Sequence, residues 1–177
     1  MRVRAAQAGD APALAEIYRP YVEASAISFE DTAPDGPKMA ARMLASPRLP
    51  WLVAGAHTGH VAGYAYATAH RSRAAYRWAV DCSIYLKPGD QGRGTGRLLY
   101  SQLLTALSAL GYRRAYAGIA LPNAASVGLH EAMGFTHVGV YRDVGYKLGR
   151  WHDVGWWELP LTGRTGQAPQ EPKPWSP

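Results

Sequence analysis

A glycine-rich turn between a strand-like run and a helical run is the stretch of this sequence best suited to bind a ligand. Residues 80–86 alternate polar and apolar side chains, and Lys-Pro-Gly-Asp at 87–90 ends the strand. The turn at 91–96 reads Gln-Gly-Arg-Gly-Thr-Gly and leads directly into an amphipathic helix. Backbone N–H groups at a helix start attract anions, so the turn predicts a phosphate-binding loop. A plain strand-to-helix turn is the alternative.

The spacing of the glycines narrows the choice of phosphate ligand. The turn lacks the Lys-Ser/Thr pair of a nucleoside-triphosphate loop. Gly92, Gly94 and Gly96 do not fit G-x-G-x-x-G, and no acidic residue follows about 20 positions later to hold a ribose. These observations argue against a nucleoside triphosphatase and against a dinucleotide-binding domain.

A second group able to do chemistry is His130, on a predicted helix that Asn123 caps. Ser126 lies four residues earlier and therefore shares its face. Histidine exchanges protons near neutral pH, so His130 is a candidate acid or base, with a structural histidine as the alternative. The segment HEAMG lacks the second histidine of a HExxH zinc helix, so we expect no metal here.

Three arginines and two aromatic residues share the loop at 69–78. Rings that stack on bases and guanidinium groups that hold phosphates would make it an RNA-binding patch. A solvated loop is the second interpretation. The third is a clamp for a substrate carboxylate, because a guanidinium binds carboxylate in a bidentate manner.

The elements that position these residues follow from the hydrophobic periodicity. It predicts the order β-α-α-β-β-β-α-β-α-β-β over residues 2–161. Asp10 is the expected cap of the first helix, and Met39, Met43 and Leu44 are expected to face inward from the second. Between these helices, residues 23–37 form a broken segment able to border a site. We expect a tight turn at 57–60, with His57 and His60 solvated rather than bound to metal.

Composition sets the class of protein. The 177 residues, 47% of them apolar, fit one domain over residues 1–162, followed by a Pro-rich tail at 163–177 that we expect to be mobile. No apolar run is long enough to span a membrane, and the N-terminus does not resemble a signal peptide. A single cysteine, Cys82, suits a reducing cytoplasm. The net charge of +6 could attract an anionic cofactor, but no dense basic tract indicates nucleic acid.

Several separated stretches carry a resemblance to a known family. The pattern Gln91-x-x-Gly94-x-Gly96 after a strand resembles the pyrophosphate loop of the GCN5-related N-acetyltransferases (GNAT). Five further stretches resemble the phosphinothricin and methionine sulfoximine N-acetyltransferase branch: residues 25–29, 50–55, 75–86, 121–135 and 149–161. The resemblance implies an α/β (α+β) GNAT fold, with a mixed, mostly antiparallel sheet, splayed central strands and about four flanking helices.

It also implies a chemistry. An amine attacks the thioester of acetyl-CoA directly, without a metal, and Asp81 and His130 become the candidate catalytic residues. This branch commonly has Glu at the position of Asp81, acting as a base directly or through water. Asp is one methylene shorter, so a relayed proton transfer is expected; a carboxylate paired with a nearby arginine is the alternative. Cys82 points to the opposite face and receives no acetyl-cysteine role.

The implied acetyl-CoA contacts fall into three groups. The central strand supplies a backbone N–H for the oxyanion. The amides of the turn at 91–96 hold the pyrophosphate, with Arg93 near the 3′-phosphate or adenosine. At the start of the helix that carries His130, Asn123 hydrogen-bonds the pantetheine arm or an adjacent backbone. The residues concerned are Ser83, Ile84, Tyr85, Gln91, Gly92, Arg93, Gly94, Thr95, Gly96, Asn123 and Ser126.

The resemblance points to a small α-amino acid acceptor ending in a polar tetrahedral group. Arg73 with Tyr76 are the candidates for binding its carboxylate, and Phe29 with Glu30 for a wall and a polar contact. Members of this kind usually form homodimers. A peptide N-terminus or polyamine is the rival acceptor, and a non-catalytic acetyl-CoA-binding module or an RNA-binding protein are the rival classes. We expect a cytoplasmic enzyme without nucleic-acid or membrane partners.

Overall fold

The computed structural model describes residues 1–56, 60–163, 166 and 168–176. The predicted order of strands and helices is confirmed. The elements are β1 (Arg2–Ala5), α1 (Ala11–Glu23), α2 (Gly36–Ala45), β2 (Trp51–Gly55), β3 (Val61–Ala69), β4 (Ala79–Leu86), α3 (Thr95–Ala109), β5 (Arg114–Ala120), α4 (Ala124–Ala132), β6 (Thr136–Lys147) and β7 (Arg150–Pro160). His57 and most of the predicted turn lie outside the described residues.

A seven-stranded sheet in the order β1-β2-β3-β4-β5-β7-β6 forms the centre of the domain. Only the β4–β5 pair is parallel among the described strand pairs, so the sheet is mixed and mostly antiparallel, as expected. Pairing between β4 and β5 is limited to Ala79–Arg114, Val80–Ala115 and Asp81–Tyr116. Beyond Asp81 the two strands diverge, and the sheet has a cleft in its middle.

Helices cover both faces of the sheet. The buried face of α3, including Leu99 and Leu103, packs against one face together with Val80 of β4. Helices α1 and α2 bring Leu14 and Met39 to the other face. The alternation of side chains along β4 places Cys82 in the α3 core, on the side opposite Asp81, as the sequence predicts.

Two local expectations are wrong. Asp10 does not cap α1 with its side chain, because its carboxylate is bound by both terminal guanidinium nitrogens of Arg4 at 2.7 Å and by the backbone N–H of Gln7. Leu44 does not face inward and is 74% exposed, since α2 ends one residue later and its buried face is centred on Met39.

The described part of the C-terminal tail lies against the domain. The N–H of Lys173 donates to the carbonyl of Leu110 at 2.8 Å, and the N–H of Trp175 donates to that of Arg48 at 3.0 Å. Pro172 is buried, and Trp175 packs on the core beside α3. Mobility of this tail stays a prediction, and these contacts are the ones that motion would have to break.

No helix of the described chain has the length and apolarity needed to cross a membrane. Nor do the described residues gather three or more His, Cys, Asp or Glu side chains in an arrangement that could hold a metal ion.

Candidate active site

The divergence of β4 and β5 opens a narrow passage through the centre of the sheet. It is lined by residues 82–85 of β4 and 117–120 of β5, with Asn123, Ser126 and His130 at one side. Six of its lining residues also line a wider groove on one face of the sheet: Ile27, Cys82, Ser83, Tyr85, Gly118 and Ala120. At its other end the passage meets a cavity beside the glycine-rich turn. A ligand lying in the cavity can therefore reach a second ligand in the groove.

The cavity beside the glycine-rich turn has a volume of about 490 Å³. Gln91, Gly92, Gly94 and Gly96 line it, as the phosphate-loop hypothesis requires. Gly94 is the N-cap of α3 and has a φ of 81°, a conformation that favours glycine. The backbone N–H groups that begin α3 thus border a cavity wide enough for an extended anionic ligand.

Side chains from other elements complete this cavity. The Tyr21 hydroxyl donates to the carbonyl of Leu86 at 2.6 Å and accepts from the Gln91 amide at 3.1 Å, which ties α1 to the turn. Arg97, in the first turn of α3, lines the cavity. Arg93, the arginine named from the sequence, is exposed and lies 3.8 Å from Asp90, while Thr95 is buried. Sequence reasoning missed Arg97 and Tyr21, although a cation just inside the helix start was a usable signal for Arg97.

Asn123 begins α4 at the junction of cavity and passage. Its Oδ1 accepts from the N–H of Ser126 at 3.1 Å, so the predicted N-cap is confirmed. Both residues line the cavity and the passage. The amide nitrogen of Asn123 makes no hydrogen bond within the described chain, so it is free to contact a ligand.

His130 is buried between α4 and α3. Its Nδ1 lies 2.7 Å from the carbonyl oxygen of Ser126, and its Nε2 lies 2.7 Å from the hydroxyl of Tyr100. A carbonyl only accepts, so Nδ1 carries the proton and Nε2 accepts from Tyr100. Burial lowers the pKa of His130, which keeps the ring neutral. Its proposed acid–base role stays a prediction, and the two bonds equally suit a ring that holds α4 in place.

Asp81 is brought to the groove, where its partner is His70 rather than an arginine. The Nδ1 of His70 lies 2.6 Å from Oδ1 of Asp81. The His70 ring stacks on Tyr116 at 4.5 Å between centroids. Burial raises the pKa of Asp81, while the hydrogen bond from His70 and the charges of His70 and Arg71 oppose that rise. Sequence reasoning missed His70, because the contact depends on the register of two paired strands.

The groove has a volume of about 570 Å³ and an aromatic wall. Phe29 and Trp156 line it, and Phe29 is 40% exposed, so its ring is available to a ligand. Glu30 also borders the groove, but Arg42 binds its two carboxylate oxygens at 2.7 and 2.6 Å. Tyr18 donates to the same carboxylate at 2.8 Å. Arg42 holds the pKa of Glu30 low, so Glu30 is an ionised anchor for the broken segment.

Further contacts fix the broken segment over the groove. The Lys147 ammonium donates to the carbonyls of Val22 and Ser28, both at 2.6 Å. Ser28 also bonds Tyr18 at 2.7 Å. The segment is therefore attached to both α1 and β6.

Neither Arg71 nor Arg73 of the arginine loop lines the groove. Arg73 is exposed at the start of a short 3-10 turn and does not line the groove. The guanidinium of Arg71 lies 6.0 Å from the ring centre of Trp156, a groove residue, and its charge acts on Asp81. Tyr76 is 45% exposed, with its ring 6.0 Å from that of His70. The Arg77 side chain is bound by Glu171 of the C-terminal tail.

Comparisons with known proteins find similar chains over most of this sequence. A family model described as an acetyltransferase (GNAT) domain matches residues 3–156. The chain is 40% identical over 174 residues to a phosphinothricin N-acetyltransferase of Streptomyces coelicolor, covering 91% of this chain and 96% of that protein. It is 35% identical over 162 residues to an L-methionine sulfoximine/L-methionine sulfone acetyltransferase of Salmonella typhimurium, covering 91% and 95%.

Solved structures are similar over the same range. A phosphinothricin acetyltransferase from Sinorhizobium meliloti in complex with acetyl-CoA superimposes with a TM-score of 0.91 at 39% identity. The match covers 96% of this chain and 93% of that one.

Proposed function

The chain belongs to the GNAT acetyltransferase family, and we propose that it transfers acetyl from acetyl-CoA to the primary amine of a small amino acid of the phosphinothricin or methionine sulfoximine type. The observation that carries the proposal is the passage between β4 and β5, which shares lining residues with both the glycine-loop cavity and the groove. The thioester would lie in the passage, and the amine would approach from the groove.

The cavity supplies the binding site for acetyl-CoA. The helix start at Gly94–Gly96 binds the pyrophosphate, with Arg97 as an additional cation. Asn123 and Ser126 contact the pantetheine arm where the cavity narrows to the passage. We assign Arg93 to the outer 3′-phosphate end, where an exposed cation can reach a solvated group.

The reaction needs one proton removed before attack. The acceptor arrives as an ammonium, Asp81 takes a proton from it, and the amine lone pair forms a bond to the thioester carbonyl carbon. The carbonyl electron pair moves to oxygen, and a backbone N–H among residues 83–85, where β5 no longer pairs with β4, stabilises the oxyanion. Collapse breaks the C–S bond, and the thiolate takes up a proton as the nitrogen loses its second one. The net products are an N-acetyl amino acid, CoA thiol and one proton.

The groove favours an amino acid over a polyamine. Arg71 supplies a cation for a carboxylate, and Phe29 with Trp156 supply a wall for a short side chain. A polyamine would need several free carboxylates, whereas Glu30 is already bound by Arg42.

An assay of CoA thiol release against a panel of acceptors tests the proposal. The panel holds phosphinothricin, methionine sulfoximine, methionine sulfone, ordinary amino acids, polyamines and peptides. We expect the highest kcat/KM for the first three. Preference for a peptide or polyamine would contradict the acceptor assignment, and no transfer to any amine, despite acetyl-CoA binding, would favour a non-catalytic module.

We infer a homodimer and a cytoplasmic location for this enzyme. Support for the dimer comes from the end of the β6–β7 hairpin, where four large apolar side chains are each at least half exposed: Val144, Tyr146, Leu148 and Trp151. Tyr146 and Trp151 contact each other edge to face at 5.3 Å. An exposed apolar cluster on the edge strand of a sheet is typical of a protein interface.

A further inference from the structure

The contact between His70 and Asp81 joins the end of one strand to the groove side of the next. His70 directly follows β3, and its N–H donates to the carbonyl of Ala79 at 3.2 Å, which continues the β3–β4 pairing. This register brings the imidazole beside Asp81, where Nδ1 and Oδ1 lie 2.6 Å apart. The side chains are 15% and 27% exposed, so the bond is shielded from bulk water.

The two carboxylate oxygens of Asp81 have different surroundings. Oδ1 accepts from His70, whereas Oδ2 makes no hydrogen bond to any residue of the described chain. Asp81 lines the groove and His70 does not. The imidazole is itself held by its stacking on Tyr116, at an interplanar angle of 25°. Its other nitrogen, Nε2, has no hydrogen-bond partner within the same residues.

We propose that His70 is a positioning residue of the proton-transfer step, holding Asp81 by the Nδ1–Oδ1 hydrogen bond so that Oδ2 takes the proton of the acceptor ammonium. The inference rests on the proposed function. The ammonium N–H bond breaks, its electron pair stays on nitrogen, and the proton forms an O–H bond at Oδ2. The carboxylic acid then gives the proton to water in the open groove, while the hydrogen bond from His70 holds the regenerated carboxylate.

The bond also keeps the base in its working form. A general base must be ionised at the working pH, and burial opposes ionisation of Asp81. A donor fixed on Oδ1 stabilises the carboxylate without blocking Oδ2. It also restricts the rotation of a side chain that is one methylene shorter than Glu.

Other charged or titratable groups face this pair. Arg71 acts on Asp81 from the same loop as His70, and Tyr76 approaches His70 from the following turn. Tyr116 packs from β5, where it pairs with Glu158 of β7; burial, and then the charge of Glu158, raise the pKa of Tyr116. Within β4 the buried thiol of Cys82 adjoins Asp81, and burial raises its pKa, so it stays neutral. Of these groups, only Arg71 is a cation that could substitute in part for His70.

Two replacements of His70 separate positioning from packing. His70→Asn keeps an N–H donor near the position of Nδ1, whereas His70→Phe keeps a ring on Tyr116 and removes the donor. In His70→Phe we expect kcat/KM for the acceptor near neutral pH to fall about tenfold or more. The acidic limb of the pH profile should move to higher pH, because removal of the donor raises the pKa of Asp81. His70→Asn should stay within about threefold of the wild type.

A double-mutant cycle with Asp81→Asn completes the test. Since His70 acts through Asp81, His70→Phe should cost nothing further in the Asp81→Asn background. Wild-type activity in His70→Phe would overturn the inference, whatever the activity of His70→Asn. Failure of the proposed function would be distinguishable from failure of this inference, because the wild type itself would then acetylate none of the acceptors. Melting temperatures of all variants, with and without acetyl-CoA, show that each is folded and binds the cosubstrate.

Discussion

The imidazole of His130 and the hydroxyl of Tyr100 lie 2.7 Å apart in the interior and join α4 to α3. Burial lowers the pKa of His130 below its ordinary value of 6.5. In the unfolded chain the ring takes up a proton near that ordinary value, whereas in the folded chain it does so only at lower pH. The neutral ring of His130 therefore contributes its full stabilisation of the folded state above pH 6.5. This contribution is lost as the pH falls through the lowered pKa of His130 in the folded state.

We expect His130→Gln to lower the melting temperature at about pH 7.5. When the pH is lowered to about 5.5, the melting temperature of this variant should fall less than that of the wild type. Replacement of the exposed His137 by Gln is the control, since it removes a surface histidine and leaves the buried contact between His130 and Tyr100 in place. An unchanged slope in His130→Gln would show that another group carries the acid sensitivity.

The same variant tests the role of His130 in catalysis. A general acid or base predicts a fall in turnover of about 10²-fold or more with acetyl-CoA affinity kept. Because both ring nitrogens are already bonded, we expect a smaller loss that follows the loss of stability. A 10²-fold fall at an unchanged melting temperature would support proton transfer by His130 instead.

Local patterns predicted the parts of this fold that depend on near neighbours in sequence. Asn123 caps α4 because its acceptor and the N–H of Ser126 are only three residues apart. Asp10 looked equally suited to cap α1, but Arg4 competes for its carboxylate from β1. The partner of Asp81 could not be predicted, since His70 reaches it only through the β3–β4 register, which periodicity alone leaves open.

Gly94 should be essential for acetyl-CoA binding. At a φ of 81° it lines the cavity at the start of α3, and Gly94→Val would both strain the backbone and place a side chain near the bound pyrophosphate. Ligand at one hundred times its Kd stabilises the fold by about 2.7 kcal/mol, so the wild type should show a clear rise in melting temperature. The variant should lose that rise.

Gly89 offers a matched control for backbone strain. It has a φ of 91° but does not line the cavity. Gly89→Val should lose stability through the same strain and still respond to acetyl-CoA. If both variants lose the rise in melting temperature with acetyl-CoA, backbone strain alone explains the loss.

Gly145 keeps room for the Phe29 ring. A Cβ at Gly145 would overlap that ring, whereas a Cβ at Gly139 in the same strand meets open space. We expect Gly145→Ala to displace Phe29 from the groove and to raise the acceptor KM severalfold, with the acetyl-CoA KM unchanged. Gly139→Ala should leave both constants as in the wild type, and similar kinetics for the two variants would remove Phe29 from the acceptor site.

The apolar end of the β6–β7 hairpin should mediate dimer formation. Tyr146 and Trp151 are 62% and 59% exposed, so a charge at either position does not disturb the core. Light scattering should give a dimer for the wild type and a monomer for Tyr146→Glu. The exposed Leu44 on α2 serves as the control, since Leu44→Glu should remain dimeric. A monomeric wild type at all concentrations would contradict the homodimer.

The arginine that binds the acceptor carboxylate should be Arg71. Sequence analysis named Arg73. Neither arginine lines the groove, but the guanidinium of Arg71 is 6.0 Å from the ring centre of the lining residue Trp156, and its charge acts on Asp81. A hydrogen bond to a charged group contributes about 1.5–3 kcal/mol, which corresponds to at least a tenfold rise in acceptor KM for Arg71→Ala. Arg73→Ala should change it little, and neither variant should alter the acetyl-CoA KM. The carboxamide form of the acceptor supplies the matched test, because it should be poor for the wild type and no poorer for Arg71→Ala. A large rise in acceptor KM in Arg73→Ala alone would assign carboxylate binding to Arg73. Equal use of the acid and the amide by the wild type would mean that no arginine binds the acceptor carboxylate.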